Sequence, residues 1–146
     1  MADSGHAELN RKEVLHLKHV ETKHFKVGGG LKEGDRFGFS GRQYEVRTGQ
    51  DFGTYGGECT VLSVDRKHRN ITHQCYVTSE TPRGQITLQG IHTEPLEDGS
   101  ADSEEPTGRP SDDAVTGGTR DFAHVSGFSR TVQVSPTTYD VTYYLG

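Results

Sequence analysis

The chain has 146 residues, enough for one domain with one core, a net charge of −5 and 29% apolar residues. Its 19 glycines account for most of the apolar deficit, so the low hydrophobicity belongs to turns and one loop and not to global disorder. No run of eighteen apolar residues could span a membrane, Met1 to Lys12 lacks the pattern of a secretory signal, and the charge balance gives no nucleic-acid footprint. The expectation is a cytoplasmic protein.

In chain order, residues 1–12 are polar and are expected to be flexible, with a single β domain over 13–146. Glu13 to Lys26 places Leu15, Leu17 and His19 at period two, opposite His16, Lys18 and Val20, and fits a helical stripe poorly, so a strand is predicted. Gly28-Gly29-Gly30 is a flexible connection. Asp35 to Val46 presents Phe37 and Phe39 on one face and bends at Gly41. Arg47 to Gly57, with four glycines, reads as a turn leading into the next strand. Cys59 to Val64 and Ile71 to Thr78 pair as a hairpin about the polar turn Asp65 to Asn70, which sets Cys59 opposite Cys75. In the cytosol the two would be free thiols.

Pro82-Arg83-Gly84 turns the chain into Gln85 to Thr93, where Ile86, Leu88, Gly90 and His92 share one face. The segment 94–113 holds eight acids and one base, a local charge of −7 that leaves +2 on the rest of the chain. With three prolines and little apolar content it reads as a mobile acidic loop, either a solvated insertion or a lid. Ala114 to Gly127 is the turn around which the last third is arranged. Val115 ends an extended segment, Gly117-Gly118 is expected at positive φ, and Phe122 and Val125 can plug a barrel end. This stretch lacks the spacing and the lysine of a phosphate loop. Strands Phe128 to Val134 and Tyr139 to Leu145 follow. Seven or eight short strands on hairpin-length links make an antiparallel sandwich or a closed barrel. Closure is preferred because it removes exposed edges.

Four segments, Gly34-Asp35-Arg36-Phe37, Gly56 to Val61, Gly84 to Gly90, and Ala114 to Thr119 through Gly127, follow one another in the order and spacing of the allene oxide cyclase-like barrels. The chain resembles that superfamily, which includes dirigent proteins and bacterial natural-product cyclases, over Gly34 to Leu145. The resemblance implies an all-β, eight-stranded antiparallel barrel with a central cavity, and a homotrimer as in the plant cyclases. It also implies that Cys59 stands for their cavity cysteine and His92 for the aromatic after the Gln-Gly of the fifth strand. Glu21 is nearest to their first-strand glutamate. Gly41 stands where their water-holding asparagine would be, which argues against strict allene oxide cyclisation.

An apolar cavity lined by Phe37, Phe39, Gly41, Val61, Ile86, Leu88 and Tyr143 would hold a flexible hydrophobic substrate in one reactive shape, and ring closure then needs no nucleophile. His92 is the first choice for a hydrogen-bond donor or acid–base group, since imidazole titrates near neutrality; a strand-capping role is the alternative. His73 and Tyr76 lie on opposite faces of one strand, and the family register favours Tyr76. Cys59 is a catalytic candidate or a small buried side chain, and Tyr143 is explained equally by core packing. Neither a metal nor a cofactor is expected, and neither a nucleic acid nor a membrane as partner. The reading is a cofactor-independent cyclase or isomerase of bacterial secondary metabolism acting on a polyketide-like polyene, a pericyclic cycloaddition among the options. A dirigent-like or carrier protein and an allene oxide cyclase-type isomerase are the alternatives.

Overall fold

The alternation of buried and exposed side chains runs through nearly every element. The computed structural model describes residues 12–96 and 109–146. It contains eight strands, β1 (Glu13–Val27), β2 (Arg36–Glu45), β3 (Asp51–Asp65), β4 (Asn70–Thr81), β5 (Gly84–Pro95), β6 (Ser111–Gly118), β7 (Gly127–Gln133) and β8 (Thr138–Leu145), and a 3-10 turn at Arg120–Phe122. Each strand pairs antiparallel with its sequence neighbour, and β1 pairs with β8, so the sheet closes into a barrel. In β1 the period-two pattern prevails: Leu15, Leu17 and His19 are buried while Val14, His16 and Lys18 face out. Bulges at Glu21/Lys23, Arg42/Tyr44, Val61/Ser63 and Thr87/Leu88 bend the long strands round the closed surface.

Two packed clusters flank the interior. The larger joins Leu15, Leu17, Ile86, Leu88, Phe122, Val141, Tyr143 and Leu145, with Val125 packed against it. Phe122 enters it from the 3-10 turn, under the Arg83 guanidinium 4.8 Å above its ring. Arg83 in turn makes a two-pronged pair with Glu13 at 2.5 and 3.1 Å, tying the β4–β5 turn to the start of β1. The smaller cluster is Val61, Ile71 and Leu96.

Several expectations are corrected. Gly117 and Gly118 are the last two residues of β6 and are not among the positive-φ glycines; the reversal is made by Arg120 (φ 55), His124 (φ 66) and Gly127 (φ 126). Arg47 to Gly57 is mostly strand, since β3 begins at Asp51. The acidic stretch is narrower than 94–113, because Glu94 and Pro95 complete β5 and Ser111 to Asp113 open β6. Its middle, 97–108, and the N-terminal segment 1–11 lie outside the described residues.

Cys59 and Cys75 face each other across β3 and β4, as the hairpin register predicts, but they form a disulfide and are not free thiols. Their Cα atoms are 4.1 Å apart, the close approach of directly opposed residues in a non-hydrogen-bonded antiparallel pair. The bond closes a loop with a sequence separation of 16, which restricts the unfolded chain by about 3 kcal/mol. Thiol titration of the denatured, unreduced protein should find no free thiol, and reduction should lower the unfolding free energy by about 3 kcal/mol. Two titratable thiols before reduction would contradict the assignment.

Candidate functional site

The barrel interior holds a cavity of about 480 Å³, a size suited to a drug-sized ligand. Its lining is more mixed than the apolar cavity expected from Phe37, Phe39, Val61, Ile86 and Leu88. Aromatic rings form one wall, but Glu21, Glu94 and Asp113 also line it, together with His19, His24, His73 and His92, and among the described residues no lysine or arginine does.

The polar pair is His92 and Asp113, whose Nε2 and Oδ1 lie 2.7 Å apart with both side chains mostly buried. They come from adjacent strands. His92 follows Leu88 and Gly90 along the inner face of β5, and Asp113 lies on β6. A Cβ at Gly90 would strike the Asp113 carboxylate, so the missing side chain is what lets Asp113 reach across to His92. Donation of a hydrogen bond from His92 to the Asp113 carboxylate raises the His92 pKa above its ordinary value despite partial burial, and the nearby charges of Asp113, Glu94 and Asp112 add to the effect. With Nε2 engaged by Asp113, Nδ1 is left to meet a ligand.

The aromatic wall is continuous. His19 stacks on Tyr55 with centroids 4.0 Å apart and planes 19° from parallel, Tyr55 lies 6.3 Å from Phe39, and Phe39 lies 6.5 Å from Phe37. Phe37 stacks on His24 at 5.8 Å and meets His73 edge-on at 5.4 Å. Gly57 makes room for the Phe39 ring, which a Cβ there would hit. Such a wall suits a flat, conjugated molecule. Burial lowers the His19 pKa to about 4, so this ring is neutral at physiological pH.

Of the residues singled out from sequence, Phe37, Phe39, Leu88, His92 and Cys59 line the cavity. Cys59 does so with its sulfur in the disulfide, so it has no thiolate to act with. Tyr76 does not line it: pairing with Gln89 turns its ring outward, where it is 53% exposed, and His73, 2% exposed, takes the inner face of β4. Gly41 lines a separate open groove with Thr22, Lys23 and Arg42, because the β1 bulge brings the Val20 carbonyl against it. Val61 is buried in the smaller cluster, and Ile86 and Tyr143 in the larger. Burial pushes the Tyr143 phenol up to about 12.

His19, Tyr55 and Asp113 were not expected in the site, and His73 takes the place for which Tyr76 was favoured. Tyr55, Gly57 and Cys59 do alternate, but the surrounding glycines mask the pattern, and Asp113 is concealed at the end of an acidic run. Among the described residues no three His, Cys, Asp or Glu side chains gather as a metal-ligand set, and no helix is long and apolar enough to cross a membrane.

No protein-family profile matches the chain, and no curated protein sequence does. Solved structures do share its fold, a closed antiparallel barrel. A structure described as pyocyanin demethylase superposes with a TM-score of 0.73 at 22% identity, over 92% of this chain and 100% of that one. The Diels Alderase AbmU from Streptomyces koyangensis gives 0.68 at 18% identity, over 92% of this chain, which spans 63% of the Diels Alderase. The pterocarpan synthase dirigent protein GePTS1 gives 0.60 at 14% identity, over 92% of this chain and 87% of that one. At these identities the likeness is one of fold.

Asp113→Asn or Gly90→Ala should lower the His92 pKa toward about 6.5, read by NMR titration of the imidazole. A raised histidine pKa stabilises the folded state below the unfolded value and loses that effect as pH rises through the folded one. Asp113→Asn should therefore lower the melting temperature more at about pH 5.5 than at about pH 9. An unshifted His92 titration in both variants would contradict the pair.

Proposed function

We propose that the protein is a small-molecule cyclase or isomerase that holds a conjugated, polyketide-like intermediate against the aromatic wall and closes a ring within it. The observation that carries this reading is the His92–Asp113 pair facing a cavity with an aromatic wall inside a closed barrel. Ring closure within one bound molecule forms carbon–carbon bonds at the expense of π bonds, and no atom leaves. Confinement removes conformational freedom before the barrier, an effect that reaches about 7–11 kcal/mol in the best intramolecular cases. The imidazolium of His92, favoured by Asp113, donates a hydrogen bond to a substrate carbonyl whose oxygen gains charge in the transition state. The fold's occurrence in a Diels Alderase supports the reading at the level of architecture.

A second reading is modification of a flat heteroaromatic compound. What favours it is that this chain spans the full length of the pyocyanin demethylase structure and that its cavity carries ionisable side chains beside the aromatic ones. A dirigent-like or carrier role would use the wall without His92. The test is cyclisation of 1,7,9-decatrien-3-one, which carries a diene, an alkene and a carbonyl in one molecule, followed by chromatography beside a parallel incubation with pyocyanin. The protein should accelerate ring closure over buffer, and His92→Phe should cut the protein-dependent rate by about 10²-fold. Turnover that ignores His92→Phe removes the donor role, and conversion of pyocyanin without ring closure of the triene selects the second reading.

A further inference from the structure

The cavity holds a second titratable pair that the donor role of His92 does not use. Glu21 Oε1 and His24 Nδ1 lie 3.7 Å apart, and both residues line the cavity. In an unbroken strand, residues three apart point to opposite faces. The β1 bulge changes the count: Glu21 sits opposite Gly41 and His24 opposite Phe39, with Thr22 as the extra residue between them. That irregularity brings a carboxylate and an imidazole to the same inner face.

The two pairs stand at the ends of one arc of rings. His24 stacks on Phe37 at 5.8 Å, Phe37 meets His73 edge-on at 5.4 Å, and His73 is paired directly with His92 across β4 and β5. A flat guest lying on Phe37 thus has an imidazole toward each side. Both imidazoles have surface to offer it: the side chains of His24 and His92 are 29% and 16% exposed, whereas His73 between them is buried. Each has a carboxylate beside it, Glu21 for His24 and Asp113 for His92. A carboxylate so placed orients an imidazole and stabilises its protonated form. Asp113 already favours that form of His92, which suits it to give up a proton. Two such groups on one guest suit a ring closure in which a proton leaves carbon while another reaches oxygen.

We propose that His24 is a second catalytic group, the base that takes a proton from the carbon beside a substrate carbonyl while His92 delivers one to that carbonyl's oxygen, so that ring closure is an intramolecular aldol addition of a polycarbonyl chain. This rests on the cyclase reading above and names its substrate class and reaction type. The C–H electron pair becomes the C=C bond of an enol as its proton passes to the His24 imidazole, and the carbonyl π pair takes the proton of His92. The enol π pair then forms the new carbon–carbon bond to a second carbonyl of the same molecule. The oxygen of that carbonyl takes the proton back from His24, and the enol hydroxyl returns its proton to His92. Both histidines end as they began, and the product is an isomer of the substrate. Glu21 is a positioning residue that acts through His24.

The first half of this sequence is tested without any ring closure. Anthrone is a flat tricyclic ketone whose C10 protons exchange with solvent through its enol, and their replacement in D2O is followed anaerobically by NMR. The full chain should speed the exchange over buffer by about 10²-fold or more. His24→Phe, which keeps a ring in the stack on Phe37, should abolish the acceleration, as should His92→Phe. His24→Ala should lose it and regain part when imidazole is added to the solution, a rescue that a merely structural loss would not show. Glu21→Gln should lower kcat for exchange by about tenfold with KM unchanged. Exchange no faster than in buffer, or full acceleration in His24→Phe, would overturn the base. If such a protein still closes the ring of the decatrienone, the cyclase reading stands without it; failure of both exchange and ring closure removes both.

Discussion

Everything in this molecule depends on β1 holding two partners at once. Its first half pairs with β8 from Glu13↔Leu145 to Val20↔Thr138, and its length from Leu17 to Val27 pairs with β2. Without the β8 pairing the sheet would have two open edges and no inside. With it, every inward side chain faces others across an enclosed space. The Arg83 pair with Glu13 fastens the same strand to the β4–β5 turn. Closure is also what gives the buried histidines their character, because an imidazole on an open sheet would remain hydrated and titrate normally.

Within that enclosure the interior is divided between packing and chemistry. Leu88 and Val141 belong both to the larger cluster and to the cavity wall, so the cluster is the floor on which the cavity rests. Room above that floor comes from absent side chains. Gly57 gives way to the Phe39 ring and Gly90 to the Asp113 carboxylate. The Cys59–Cys75 bond lies in the same wall, across the two strands that carry Tyr55 and His73, and limits how far those strands can part. The site is thus built on strands held from several sides, the arrangement that preorganised catalysis requires.

Much of this was legible in the residues themselves. Period-two burial separated strand from helix in β1, the hairpin register set Cys59 opposite Cys75, and the shared face of Ile86, Leu88, Gly90 and His92 is the inner face of β5. What was not legible has identifiable causes. The inward row of Tyr55, Gly57 and Cys59 is interrupted by glycines, which carry no hydrophobic signal. Asp113 is chemically indistinguishable from its acidic neighbours, and only the gap at Gly90 one strand away singles it out. His73 and Tyr76 differ by an odd number of positions, so local pattern separates their faces but does not say which face is inside. The state of the two cysteines was read from an expected compartment, whereas strand pairing decides their proximity.

The central claim is that one enclosed cavity presents an aromatic wall and an acid–base pair to the same guest. The most direct measurement is a crystal structure of the protein soaked with a flat tricyclic ligand. The account predicts density inside the barrel, with the ring system against Phe37 and Phe39 and a polar atom within hydrogen-bond reach of His92 Nδ1. A guest found only on the outer surface, or an interior closed over by side chains with His92 turned away from Asp113, would contradict it.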